Sequence, residues 1–123
     1  MSARRDPHTR ARERLSRAFE ACRRADTEAV SAALEVLCWK ALAAAPTAHS
    51  VLLEWSPQGD YLRVCRLELH DGTVRDWEDP ENLAWNFGGR DSDTWTRFVK
   101  PWHNGHVCGF RLPIHSTLEF LRS

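Results

Sequence analysis

The hydrophobic period changes near Pro46, and no other feature constrains the fold of this chain as much. Upstream, apolar residues recur every three or four positions, the spacing that places them on one side of a helix. Ala11, Leu15, Ala18, Phe19 and Cys22 form one such set between Thr9 and Arg24. Val30, Ala33, Leu34, Leu37, Cys38, Ala41 and Leu42 form a second, which Pro46 ends. Asp26 or Thr27 can cap the second set by accepting hydrogen bonds from free backbone N–H groups, so two helices joined as an antiparallel hairpin are expected.

Downstream the pattern becomes one of strands. Val51, Leu53 and Trp55 alternate in "SVLLEW", and "SPQGD" supplies turn chemistry before "YLRVCRLELH". In that second strand the alternation slips, with Leu62 and Val64 on one parity and Cys65, Leu67 and Leu69 on the other. A bulge near Val64–Cys65 or cover on both faces accounts for such a slip. Asp71–Gly72 reads as a two-residue type I′ turn, which sets His70 opposite Thr73 and leads into "TVRDW". Residues 78–92 look irregular around Pro80 and Gly88–Gly89; "DSDTWTRFVKP" reads as a short helix and "HVCGFRL" as a fourth strand. In "STLEFLRS", Ser116 and Glu119 match a capping box.

The expected fold is therefore α+β: an N-terminal antiparallel helical hairpin packed on a three- to four-stranded antiparallel β-meander, followed by two short helices. At 123 residues with 42% hydrophobic content, one domain over residues 9–123 behind a basic arm at 1–8 is the simplest organisation. No run approaches the roughly 18 apolar residues of a membrane span, and "MSARRDPHTRARERLSR" has no apolar segment of a secretory signal. Cys22, Cys38, Cys65 and Cys108 are widely spaced without a CxxC pair, so reduced thiols and a cytoplasmic address are expected.

The net charge is zero but unevenly spread. Residues 1–24 carry eight arginines against Asp6, Glu13 and Glu20, a local +5, while residues 54–93 carry a local −6. Arg10, Arg12, Arg14, Arg17, Arg23 and Arg24 could contact nucleic-acid phosphates, although no known nucleic-acid-binding motif accompanies them. The acidic pole holds Asp76, Glu78, Asp79 and Glu81 among tryptophans. A nuclease needs carboxylates gathered from different strands with a basic residue beside them; Asp60, Glu68 and His70 fall in one strand region, without a lysine.

Of six tryptophans, Trp39 and Trp55 are expected in the core, while Trp77, Trp85, Trp95 and Trp102 fall where regular structure looks thin. Buried indoles anchor loops, and exposed ones dominate binding surfaces. The third candidate is "WHNGHVCGF" with the histidine beyond it. His103, His106, Cys108 and His115 are suitable zinc ligands by type, but H-x2-H-x-C-x6-H matches no common zinc framework. Cys108 beside a histidine also has the elements of a nucleophilic pair, without a visible orienting group.

The reading that absorbs most of these features is a non-enzymatic cytoplasmic protein-binding domain that needs no cofactor and has no membrane partner. It docks a basic protein surface through Asp76, Trp77, Glu78, Asp79, Glu81, Trp85, Arg90, Asp91 and Asp93, as an immunity or antitoxin protein would. The alternatives are nucleic-acid binding through the arginine-rich first helix and metal binding through the histidine–cysteine cluster.

Overall fold

A computed structural model describes residues 6–58, 62–87, 92–104 and 107–122 and has α+β architecture. The first element is a single helix, α1, Pro7–Ala44. Asp6 caps it by accepting from the His8 N–H at 2.8 Å and the Thr9 hydroxyl at 3.0 Å, and Pro7 occupies a position where its missing N–H costs nothing. The expected break at Asp26–Thr27 does not occur. The Thr27 hydroxyl donates back to the Arg23 carbonyl at 3.0 Å, as a helix-interior threonine does. Between Pro7 and Pro46 there is no glycine or proline, and alanine is abundant, so one helix runs through where a hairpin was expected.

Only the second half of α1 joins the core. Val30, Ala33, Leu34, Leu37, Cys38 and Ala41 are buried, whereas none of residues 7–29 is. At 1.5 Å per residue, roughly 35 Å of helix extends before the first buried side chain.

The sheet has five strands among the described residues, in the order β3-β2-β1-β5-β4 and antiparallel throughout. They are β1 (Ala48–Trp55), β2 (Leu62–Leu69), β3 (Val74–Asp76), β4 (Lys100–Asn104) and β5 (Val107–Pro113). β4 was not anticipated, because Pro101 and "WHNG" read as loop. It is an edge strand, where a proline is tolerated because no neighbour needs its N–H. Short helices follow β3 and the sheet: α2 (Leu83–Phe87), α3 (Ser92–Phe98) and α4 (Ile114–Arg122). α4 starts directly after Pro113, so Ser116 lies inside it and is not its cap.

Two register shifts shape β1 and β2. Leu52 pairs with Arg66 but Leu53 with Val64, leaving Cys65 as the extra residue, at the point where the alternation slips in the sequence. Ala48 pairs with Leu69 but Ser50 with Glu68, which leaves His49 extra on β1. The β2–β3 connection also differs from the two-residue turn expected. Leu69 N–H donates to Thr73 O and Gly72 N–H to Leu69 O, so His70, Asp71 and Gly72 form a three-residue loop. Gly72 alone carries the positive φ, +86°, the pattern of a turn closed by a glycine bulge.

The core unites Val30, Leu34, Leu37 and Ala41 of α1 with Val51, Leu53, Leu67 and Leu112 of the sheet and Ile114 and Leu118 of α4. Trp95 and Phe98 of α3 close it from one side. Trp39 and Trp55, expected in the core, are 46% and 48% exposed, whereas Trp95 and Trp102 are buried as anchoring indoles are. Trp39 falls on the side of α1 away from the core stripe, and Trp55 ends β1, edge-on to Phe110 at 6.1 Å. Among the described residues no helix is long and apolar enough to cross a membrane.

Candidate functional site

The acidic segment begins where β3 ends. The Trp77 N–H donates to the Cys65 carbonyl at 3.1 Å, extending the strand pairing by one residue and holding the indole half-buried against the core. The chain then turns inward at Asp79, whose side chain is 1% exposed. Its carboxylate accepts from the N–H groups of Glu81 at 3.1 Å and Leu83 at 2.9 Å, which caps α2, and from the Lys40 ammonium of α1. Lys40 also reaches Glu81 at 2.7 Å. Asn82 adopts a left-handed φ of 51°, and the Asn86 side-chain amide donates to the Glu81 carbonyl at 3.1 Å. A loop of ordinary polar sequence is thus fixed to the long helix through Lys40 and closed by its own backbone N–H groups.

The electrostatics follow from that geometry. Burial pushes the Asp79 carboxyl up, but the Lys40 ammonium and the two backbone N–H groups outweigh burial and hold it below the ordinary carboxylate range. Partial burial lowers Lys40, and its bonds to Asp79 and Glu81 more than reverse that, so its pKa is raised. Asp79 is therefore a structural group and presents no charge outward. Asp76, Glu78, Glu81 and Trp85 remain exposed, with Trp85 at 56%, and Asp76 lies 3.9 Å from Arg66. Asp93 is exposed in the first turn of α3. Arg90 and Asp91 lie outside the described residues.

The six arginines expected to face nucleic acid are all exposed along the free half of α1. Arg10, Arg14, Arg17 and Arg24 share one side of the helix, and Arg12 and Arg23 fall on another, since each residue advances about 100°.

Of the expected histidine–cysteine cluster, the described residues set His115 apart from the strand pair His103–Cys108. His103 is exposed in β4 and pairs in register with Cys108 of β5, near the hairpin end of these strands. His106 and the Cys108 side chain lie outside what is described. His115 sits in the first turn of α4, at the other end of β5, about 20 Å from Cys108 at the rise of an extended strand. There it stacks on His70 at 5.4 Å, and His70 meets His49 edge-on at 5.3 Å. Among the described residues no group of three or more His, Cys, Asp or Glu side chains is placed to hold a metal ion.

Sequence reasoning missed the meeting of His49, His70 and His115. Its signal lay in the strand ends: Ala48 pairs with Leu69 and Ser50 with Pro113, so the residues next to each pair are drawn to one corner. Glu68 reinforces that corner by accepting from Arg111 at 3.0 Å and lying 3.7 Å from His49 Nδ1.

Neither buried Cys38 nor half-buried Cys65 is suited to nucleophilic attack. Burial, with Glu35 adding to it, pushes Cys38 up to about 12, and burial followed by Glu54 does the same for Cys65. No protein family model, no curated protein and no solved structure matches the chain.

Proposed function

We propose that this chain is a non-enzymatic, cytoplasmic protein-binding domain that docks a basic protein surface through the exposed face Asp76, Glu78, Glu81 and Trp85, in the manner of an immunity protein. The observation that carries the reading is the anchoring of this face. Asp79 is sunk beneath it and tied to Lys40 and to the start of α2, so the backbone that carries Glu78, Glu81 and Trp85 is fixed before any partner arrives. A pre-ordered loop loses less conformational entropy on binding, and an exposed tryptophan beside charges is the residue type that dominates binding energy.

The test replaces Asp76, Glu78 and Glu81 with lysine and leaves Asp79 in place. Capture of a partner by the immobilised wild-type chain, with the partner identified by mass spectrometry, is expected to be lost in this triple variant, while its thermal melt stays cooperative and shifts only by the small cost of reversing the exposed Glu81 beside Lys40. Undiminished capture would remove the face from consideration.

A second reading, nucleic-acid binding, is favoured by six exposed arginines on a stretch of α1 with no buried residue. Fluorescence anisotropy with duplex DNA and single-stranded RNA at two salt concentrations decides it, because phosphate contacts weaken steeply as salt rises. No binding at low salt ends that reading.

A further inference from the structure

We infer that α1 pairs antiparallel with α1 of a second copy of this chain, along an apolar seam on the side of the helix away from the domain's own core. From Ala11 to Ala43 an apolar residue recurs at alternating intervals of four and three, the heptad spacing of a helix–helix seam. Its larger members are Leu15, Cys22, Val36 and Trp39. Every position of the series is exposed except half-buried Ala29.

This seam is distinct from the stripe that builds the core. At about 100° per residue, its direction over the second half of α1 lies roughly 150° from that of Val30, Leu34, Leu37 and Ala41. A helix that is apolar on two opposite sides is covered on both. The sheet, α2 and α4 cover one side; among the described residues the other is exposed along its length, apart from half-buried Ala29 and the Arg122 guanidinium, which lies 5.7 Å over the Trp39 ring. The first half of α1 adds a second argument: it has no buried residue, and a helix of that length without tertiary packing is marginal in water.

Charge selects the occupant and its direction. Residues 7–24 hold six arginines against Glu13 and Glu20, whereas the following half of α1 holds Asp26, Glu28 and Glu35 with Lys40, whose charge Asp79 and Glu81 already answer. A parallel pair would align the arginines with their own copies. An antiparallel pair lays the basic half of one helix on the acidic half of the other, twice, as a closed two-fold interface requires.

A two-fold axis at Thr27 uses the whole seam. It sets Leu15 across from Trp39 of the second copy, Ala18 from Val36 and Cys22 from Ala32. The alanines between let the axes approach to about 8 Å. The seam and the acidic face proposed above are separate surfaces, read by separate assays, so either can fail alone.

Sedimentation equilibrium of the full chain is expected to give the mass of two copies. Leu15→Glu and Val36→Glu, both at exposed positions, should halve the apparent mass without changing the circular-dichroism melt of the sheet and core. For orientation, Ala32→Cys is treated with oxidised glutathione. A covalent dimer that disappears when Cys22→Ser is added supports the antiparallel register. In the otherwise native chain the two Cys22 residues stand about 15 Å apart along the axis and should not join. A monomer at every concentration overturns the inference, and so does a Cys22–Cys22 disulfide in the native chain, which only a parallel pair brings together.

Discussion

Lys40 in the last third of α1 and Asp79 in the loop after β3 are joined as a buried-edge ion pair, and through it the long helix fixes the acidic face. The Asp79 carboxylate also accepts two backbone N–H groups, so one side chain closes the ion pair and caps α2. Replacing Asp79 with alanine leaves Lys40 without its buried partner and two N–H groups unpaired. A loss of about 3 kcal/mol is expected in urea unfolding. Glu81→Ala removes the exposed half of the Lys40 pairing, side chain 61% accessible, and should cost less than about 1 kcal/mol.

The same pair sets a pH dependence with a definite sign. Asp79 is held below the ordinary carboxylate value of 3.8 in the folded chain, so the folded state binds its proton less readily than the unfolded state. Its contribution is complete above the ordinary value and is lost as pH falls through the lower folded value. The stability gap between wild type and Asp79→Asn should therefore be widest near neutral pH and should narrow on acidification below about pH 4, as followed by urea midpoints.

Two tryptophans ten residues apart should behave in opposite ways. Trp95 is buried in the core beside Phe98, so Trp95→Ala is expected to cost about 3 to 5 kcal/mol. Trp85 is largely exposed on the acidic face, and Trp85→Ala should change stability by no more than about 0.5 kcal/mol while weakening partner capture. Thermal melts and the capture assay separate the two. A large stability loss at Trp85 would mark it as an anchor and not a contact residue.

Gly109 and Gly72 are both required, for different reasons. A Cβ on Gly109 would lie 2.2 Å from the Leu53 carbonyl oxygen, where β5 crosses close to β1, and backbone cannot yield as a side-chain tip can. Gly109→Ala should cost about 2 kcal/mol or more. Gly72 faces open space, and only its φ of +86° resists a side chain, so Gly72→Ala should cost about 1 kcal/mol. Denaturation midpoints of the two variants give the comparison.

Thiol reactivity offers a check on packing. With pKa values pushed up to about 12, Cys38 and Cys65 are almost wholly protonated at mildly alkaline pH. Brief iodoacetamide treatment followed by peptide mapping should leave both unlabelled in the native chain and label both in urea. Rapid native labelling of Cys38 would mean that the α1 core stripe opens.

Much of the local structure is legible in the residues. The change of period at Pro46 separates α1 from the sheet, the parity slip in "YLRVCRLELH" marks the bulge at Cys65, and "DSDTWTRFVKP" contains α3. The failures share a cause. Asp26 and Thr27 can cap a helix, but capping chemistry alone does not break one that lacks glycine and proline. Pro101 argues against a strand only where a neighbour needs its N–H, and β4 is at the edge. His115 looks adjacent to His103 in sequence, yet β5 carries it to the far end of the sheet, beside His70.

The sequence alone determined which residues share a face of each helix and strand, because backbone geometry converts spacing into direction. It did not determine what each face meets. Both apolar stripes of α1 are visible as spacings, and only the packing of the sheet and α4 decided that Leu34 and Leu37 are sealed while Val36 and Trp39 face outward. The same holds for Asp79, one carboxylate among four in sequence and the single one drawn inward, because Lys40 and the first N–H groups of α2 converge there. Burial belongs to the assembled surfaces, and periodicity carries no information about the surface opposite.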